Sequence, residues 1–473
     1  MKKNLFLPIL LLVALSGCKD SKSNDNLLLL KQELVSNAME KEFNLLCSES
    51  ELNILSTRSI ETTEGIVDWT LAKEFAELTL QSFIQDGEFS ENTYLWKYPL
   101  CIYSEDGSIR YYEFRVLENE QIVAAIACNA QEKYGPPVDK IFKTDGYLSE
   151  LEKLFDKEVL SESDLPRIVD NVYPSHVISI SEQTRSGEIL PEKLINPESG
   201  TEVEEVDKLL TVEETFEIYP DLYTDEQKQL ALVEIGNYKE ELGNLWECAK
   251  ERKGTISENN NDTRGNLGYK YSVLPDLLLL NTYAYHLNNM GEACTAVGYG
   301  ACGASAVGFI LDYLDANNLG VATNWKNIDI PLDRVKEPGK YYYLYKQERI
   351  KWLNRLLSVN SIGITWPENL GNPLNLLTIY KLNYNLGFWP KESIDRNLPG
   401  ISLRTLNLSS WSSLQGGFHY RNVIGYKQDG FWIFTWKYIK VLDGNRVDAN
   451  NINGTWEAQI PFYQIAVFNT ARR

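Results

Sequence analysis

GYGACGASAVGFILDYLDA, residues 298–316, places a single cysteine between a glycine-containing turn and an apolar run. Apolar residues recur in this run at positions i, i+3, i+4 and i+7, which predicts a helix with one buried stripe. These residues are Val307, Ile310, Leu311 and Leu314. Cys302 stands at the predicted helix start, where unpaired backbone N–H groups and the helix dipole favour the reactive thiolate. The alternative is a small hydrophobic residue in a buried first turn, a common role for cysteine.

A thiol nucleophile needs a base, and the chain has three histidines. His419 has the most favourable setting. The glycine pair Gly416-Gly417 precedes it, a predicted strand follows it, and Asp429-Gly430 predicts a hairpin turn before a returning strand. A glycine pair lets the backbone run close to a ligand, and a strand start holds the imidazole rigidly.

The other histidines and a second cysteine supply the alternatives. His286 is close in sequence to Cys302 and is a weaker candidate base. His176 lies in an acidic connecting region and is expected to be solvated or locally hydrogen-bonded. A disulfide between Cys294 and Cys302 would close a small loop and remove the thiol, and the cell envelope permits such bonds.

Two segments resemble the streptopain-like family of papain-type cysteine peptidases. Residues 301–306, ACGASA, are similar to that family's Gly-Cys-x-Ala-Thr-Ala followed by a helix. Residues 417–426, from Gly417 through His419 to a Gly-Tyr pair, are similar to its Gly-His-Ala and the strand after it. The family places a tryptophan behind the histidine on the returning strand, and Trp436 matches that tryptophan.

The resemblance implies an α+β fold. A papain-like C-terminal domain would carry the nucleophile on a helix beside an antiparallel sheet or barrel, and a small α+β N-terminal domain would resemble the family's inhibitory propeptide. It also implies hydrolysis of protein or peptide substrates, with Cys302 as nucleophile, His419 as base and Trp436 orienting the ring. No cofactor and no metal ion are expected.

Two departures from the family pattern leave an alternative open. The protein would then be no enzyme but a catalytically decayed papain-like fold that binds peptides or envelope polymers. Thr435 stands where papain-like enzymes usually hold an asparagine that orients the imidazole. No glutamine occurs between Gln229 and Gln347, so either Asn288 or Asn289 becomes the candidate oxyanion side chain or the Cys302 backbone N–H acts alone. Loss of one oxyanion donor costs about 3 kcal/mol of transition-state stabilisation.

The N-terminus predicts a lipoprotein. Lys2 and Lys3 precede an apolar run too short to span a bilayer, and residues 15–17, Leu-Ser-Gly, lead into Cys18. This resembles the bacterial lipoprotein signal, so Cys18 is expected to carry the lipid that anchors the protein to the outer membrane of the cell envelope, facing the periplasm or the surface. A plain secretory signal with an incidental cysteine is the alternative.

Composition restricts the partners. With 43% hydrophobic and 11% aromatic residues the chain is globular. A formal net charge of -20 leaves no excess of lysine and arginine to neutralise phosphates, so nucleic acid is not an expected partner. The cysteines after Cys18 form no CxxC pair, which argues against a zinc site.

Periodicity divides the chain. Helical spacing predicts a helix over 69–85 with a β-meander after it, and another helix from 225 to about 253. The polar stretch 254–265 is expected to be an exposed, protease-accessible loop. The predicted segments are a signal peptide (1–17), a lipidated tether and helix (18–59), a propeptide-like domain (60–155), an acidic connecting region (156–265) and a papain-like domain (266–473). This order predicts a zymogen, in which the N-terminal domain covers the cleft until the loop is cut.

Overall fold

A computed structural model describes most of the chain from residue 65 onward. The described residues are 65–159, 164–171, 176–182, 193–197, 199–206, 208–220, 224–254, 269–286, 302–320, 352–357, 365, 367–385, 389–407, 417–431, 434–442, 454–461 and 463–473. Cys18, Asn288, Asn289 and Cys294 lie outside them, as does nearly all of the predicted loop. In these ranges no helix is both long enough and apolar enough to cross a bilayer. The fold is mixed α+β with a large, mostly antiparallel sheet, which confirms the coarse fold class.

The first described region is a helix followed by a β-meander, as predicted. Asp68 caps the helix by accepting a hydrogen bond from the Thr70 backbone N–H at 2.8 Å. Phe75 and Phe83 of this helix are fully buried. The elements are α1 (Trp69–Gln85), β1 (Tyr94–Leu95), β2 (Leu100–Tyr103), β3 (Ile109–Glu118), β4 (Gln121–Asn129), β5 (Val138–Phe142) and α2 (Leu148–Asp156).

The acidic connecting region contains strands that the sequence did not predict. Three of the five strands described there have only two or three residues, and the two seven-residue strands contain or closely follow a proline that obscures the alternation. Ile168 of β6 pairs in parallel with Ile102 of β2, so this region extends the N-terminal sheet. The elements are β6 (Asp164–Asp170), β7 (His176–Glu182), β8 (Lys193–Ile195), β9 (Glu202–Val203), β10 (Lys208–Leu209), α3 (Val212–Ile218) and α4 (Asp225–Glu251). The last of these is the helix predicted from residue 225.

The C-terminal half has helices packed on an antiparallel sheet. Its helices and strands are β11 (Lys270–Val273), α5 (Asp276–His286), α6 (Cys302–Ala316), α7 (Asn372–Leu377), β12 (Tyr380–Asn385), α8 (Lys391–Ile394), β13 (Gly400–Asn407), β14 (Gly417–Phe431), β15 (Phe434–Leu442), β16 (Thr455–Ala458) and β17 (Gln464–Arg472). The predicted hairpin turn at Asp429-Gly430 is wrong, because β14 continues to Phe431, which pairs with Phe434 of β15.

The sheet crosses the predicted domain boundary without interruption. β16 pairs with β5 of the N-terminal meander, with Trp456 opposite Ile141 and Glu457 opposite Lys140. β16 also pairs with β15, which pairs with β14. Backbone hydrogen bonds therefore join the N-terminal and C-terminal halves into one sheet.

Candidate functional site

Cys302 is the first residue of α6, which confirms the predicted helix start. The predicted stripe is buried, but the helix is enclosed more fully than one stripe requires, since every residue from Gly303 to Leu314 is buried. Cys302 itself is half-buried against the main core and carries a thiol. Cys294, the partner in the alternative disulfide, lies outside the described residues.

The first turn of α6 and the first residues of β14 lie at the same end of the domain. The Asn422 side-chain amide on β14 donates a hydrogen bond to the Ala306 carbonyl at 2.9 Å. The Tyr420 hydroxyl donates to the Thr365 carbonyl at 2.8 Å. A Cβ atom on Gly303 would lie only 2.7 Å from the Thr365 Oγ1. Thr365 therefore lies between Gly303, which follows Cys302, and Tyr420, which follows His419.

The sheet places the His419 side chain on the face away from α6. β13 and β14 pair without a register shift from Gly400–Val423 to Leu406–Gly417, so side chains alternate between the two faces throughout. Tyr420 and Asn422 face α6. His419, one residue before Tyr420, therefore points to the opposite face, where its cross-strand neighbour is Arg404. This register places His419 beside Arg404 on the sheet, whereas Tyr420 and Asn422 lie on the α6 face.

Trp436 lies far from His419. It pairs opposite Asp429 on β14, which at about 3.3 Å per residue is roughly 33 Å along the strand from His419. The Trp436 ring packs on Phe75 of α1, with ring centroids 5.7 Å apart. Thr435 is equally distant, opposite Gly430. Because the hairpin turns later than the sequence predicted, Trp436 lies at the end of β14 that is remote from the histidine.

The remaining histidines take different positions. His176 on β7 is buried, with its Nε2 atom 2.7 Å from the Glu150 Oε2 and its ring against Tyr147 at 4.6 Å. This confirms that His176 is locally bonded. His286 is the last residue of α5. This helix packs on the end of α6, where the Asn317 amide donates to the Leu278 carbonyl at 3.1 Å.

On the His419 face lies a buried ionic group that the sequence did not reveal. Arg404 and Arg421 both bind the Glu457 carboxylate, at 2.9 and 2.6 Å. Burial alone would raise the pKa of Glu457, but the two guanidinium charges lower it to about 2. Sequence spacing could not identify the group because its members come from β13, β14 and β16.

Outside comparisons add no family assignment. No protein-family model matches the chain, and no curated protein matches it. Among the residues that the structure describes, no group of histidine, cysteine and acidic side chains is placed to hold a metal ion. The likeness to streptopain-like peptidases therefore rests on the two short segments around Cys302 and His419.

Proposed function

We propose that this protein is a lipid-anchored cysteine endopeptidase made as a zymogen, with Cys302 as the nucleophile and His419 as the base. The observation that carries the proposal is the position of Cys302, a thiol on the first residue of a deeply buried helix, at the same end of the domain as the start of β14. The substrates would be proteins or peptides. The lipid on Cys18 would hold the enzyme at the outer membrane of the cell envelope.

The chemistry follows from the helix start. The Cys302 thiolate attacks the scissile carbonyl carbon, and the imidazolium of His419 returns the thiol proton to the leaving amine. Water then hydrolyses the thioester, which releases the acid product and restores the thiol. The first backbone N–H groups of α6 have no carbonyl partner within the helix, so they are suited to stabilise the oxyanion.

In this proposal, activation of the zymogen moves His419 to the face of the sheet that carries Tyr420 and Asn422. The pairing of β14 with β15 shifts register between Val423 and Gly425, so the strand contains a bulge. A one-residue shift of a strand exchanges its two faces. If the bulge moved to the beginning of β14, residues 419–423 would turn over and His419 would face α6. In the uncut chain the bulge would stay between Val423 and Gly425, and His419 would stay on the Arg404 face, as an inactive zymogen requires.

A second candidate is a catalytically decayed papain-like fold that binds peptides or envelope polymers. The register of β14 favours it, because His419 shares its face of the sheet with Arg404, whereas Tyr420 and Asn422 lie on the face toward α6. In that case the sheet would keep the present register in every form of the protein.

Hydrolysis measured before and after cleavage tests the proposal. A fluorogenic casein and a fluorescent iodoacetamide are applied to the full chain and to chain cut by limited trypsin at Arg264. Hydrolysis is expected only after the cut. It should disappear in Cys302→Ala and persist in Cys248→Ala, a matched control whose thiol is also partly exposed. Labelled Cys302 without hydrolysis in the cut chain would refute the peptidase and favour the second candidate.

A further inference from the structure

We infer that the N-terminal domain is a permanent part of the folded molecule, and that cleavage between residues 254 and 269 yields a two-piece protein rather than a released C-terminal enzyme. The inference concerns the surface by which α1 contacts β14, β15 and β16, here called the α1 interface. Only the reason for the cut rests on the proposed function, because the association of the two pieces does not depend on catalysis.

Aromatic side chains form the apolar part of the α1 interface. Phe75 contacts Trp436, with ring centroids 5.7 Å apart. Phe83 lies edge-on to Trp456 at 5.4 Å and to Tyr438 at 6.2 Å. All five side chains are buried. Separation of the halves would expose this whole cluster to water, which is strongly unfavourable.

Two buried lysines of the C-terminal half find acidic partners just after α1. Lys427 is 1% exposed and binds the Asp86 carboxylate, and its Nζ donates to the Ser82 hydroxyl at 2.5 Å. Lys440 binds the Glu88 carboxylate at 2.9 Å. Burial tends to raise the pKa of Glu88, but the charge of Lys440 and its hydrogen bond lower it overall. A free C-terminal piece would lose Asp86 and Glu88, although Lys427 would keep an acidic neighbour, Asp429 at 3.4 Å. This loss is costly for buried charges.

Backbone pairing and the fourth helix add to the association. β5 supplies the outer neighbour of β16, so removal of the N-terminal piece would leave an open sheet edge. The Trp246 indole of α4 donates a hydrogen bond to the Gly135 carbonyl at 3.1 Å. α4 therefore stays with the N-terminal domain when the chain is cut after it.

Both ends of the segment to be cut are held to the α1 region. Before it, the Gly254 backbone N–H donates to the Glu74 carboxylate at 2.9 Å, and Lys253 binds Asp68 at 2.6 Å. After it, the Tyr271 hydroxyl donates to Glu88 at 2.7 Å. A cut between these anchors breaks none of the contacts, so the pieces keep their positions.

The test is the elution of trypsin-cut protein. A denaturing gel should show two pieces, and native gel filtration should show one peak at the volume of the uncut chain, also after 100-fold dilution. Separate elution of the two pieces without denaturant would overturn the inference. Cut Cys302→Ala should behave as the wild type does, so a failed association is distinguishable from a failed peptidase.

A matched pair of variants tests the α1 interface itself. Cut Lys440→Ala should release its pieces at a lower urea concentration than the wild type, whereas cut Lys437→Ala, which changes an exposed lysine of the same strand, should not. Circular dichroism of both uncut variants establishes that they fold. If the pieces of both cut variants separated at the same urea concentration, the role of the buried Lys440 would be refuted.

Discussion

Replacement of Lys427 by methionine should destabilise the protein far more than the loss of a surface charge would. The Lys427 side chain is 1% exposed and lies between Asp86, 3% exposed, and Asp429, 13% exposed. Loss of the ammonium leaves buried carboxylates without their cation, a change that costs about 3–5 kcal/mol of unfolding free energy. Lys437→Met on the neighbouring strand removes an exposed charge and should stay within about 0.5 kcal/mol of the wild type.

A double-mutant cycle separates the ion pair from other effects of the methionine. Asp86→Asn alone leaves Lys427 buried with less negative charge, whereas the double variant removes both charges. The double variant should therefore be more stable than the sum of the single effects, with a coupling energy of about 0.5–3 kcal/mol. Urea unfolding followed by tryptophan fluorescence measures all four proteins, since Trp436 and Trp456 lie in the α1 interface. Strictly additive single effects, or a Lys427→Met variant within about 1 kcal/mol of the wild type, would refute the reasoning.

Other predictions concern the helix start and the His419 face. The pKa of Glu457 is lowered from its ordinary 4.5 to about 2, so its contribution is present above pH 4.5 and is lost as pH falls toward 2, an effect of about 3 kcal/mol in unfolding free energy. Acid unfolding of Glu457→Gln should lack this component. Gly303→Ala should lower stability by about 1–3 kcal/mol through its clash with Thr365, and calorimetry should show partial recovery with Thr365→Ala. In cut protein, His419→Ala should reduce hydrolysis to nearly the level of Cys302→Ala; unchanged rates would exclude His419 as the base.

Local patterns predicted the elements whose signals lie within one segment. The helix at 69–85 has apolar residues at helical spacing and an aspartate cap, and the structure has the same bounds. Cys302 is likewise the first residue of its helix. Such signals depend on neighbours along the chain, so they can be read without knowledge of the fold.

Features set by distant contacts could not be read in this way. Asp429-Gly430 has the composition of a hairpin turn, but Asp429 accepts a hydrogen bond from Ser82 of α1 and the strand continues past it. The displaced turn then moves Trp436 away from the histidine. The face of His419 depends on the register of β14 against β13, which one residue more or less would reverse. No pattern of neighbouring residues fixes that register.

β11 links the cut segment to the strand that bears His419. It begins directly after the region to be cut and pairs with β14 from Lys270–Gln428 to Val273–Gly425, so its last pair adjoins the bulge. While the chain is intact, both ends of the segment before β11 are anchored near α1. On the proposed function, a cut removes the covalent link between α4 and β11, while Tyr271 of β11 stays bound to Glu88 and the α1 interface stays in place. Activation without dissociation therefore requires β14 to move its bulge only within residues 419–423, beyond the pairs with β11, while Lys427 stays bound to Asp86.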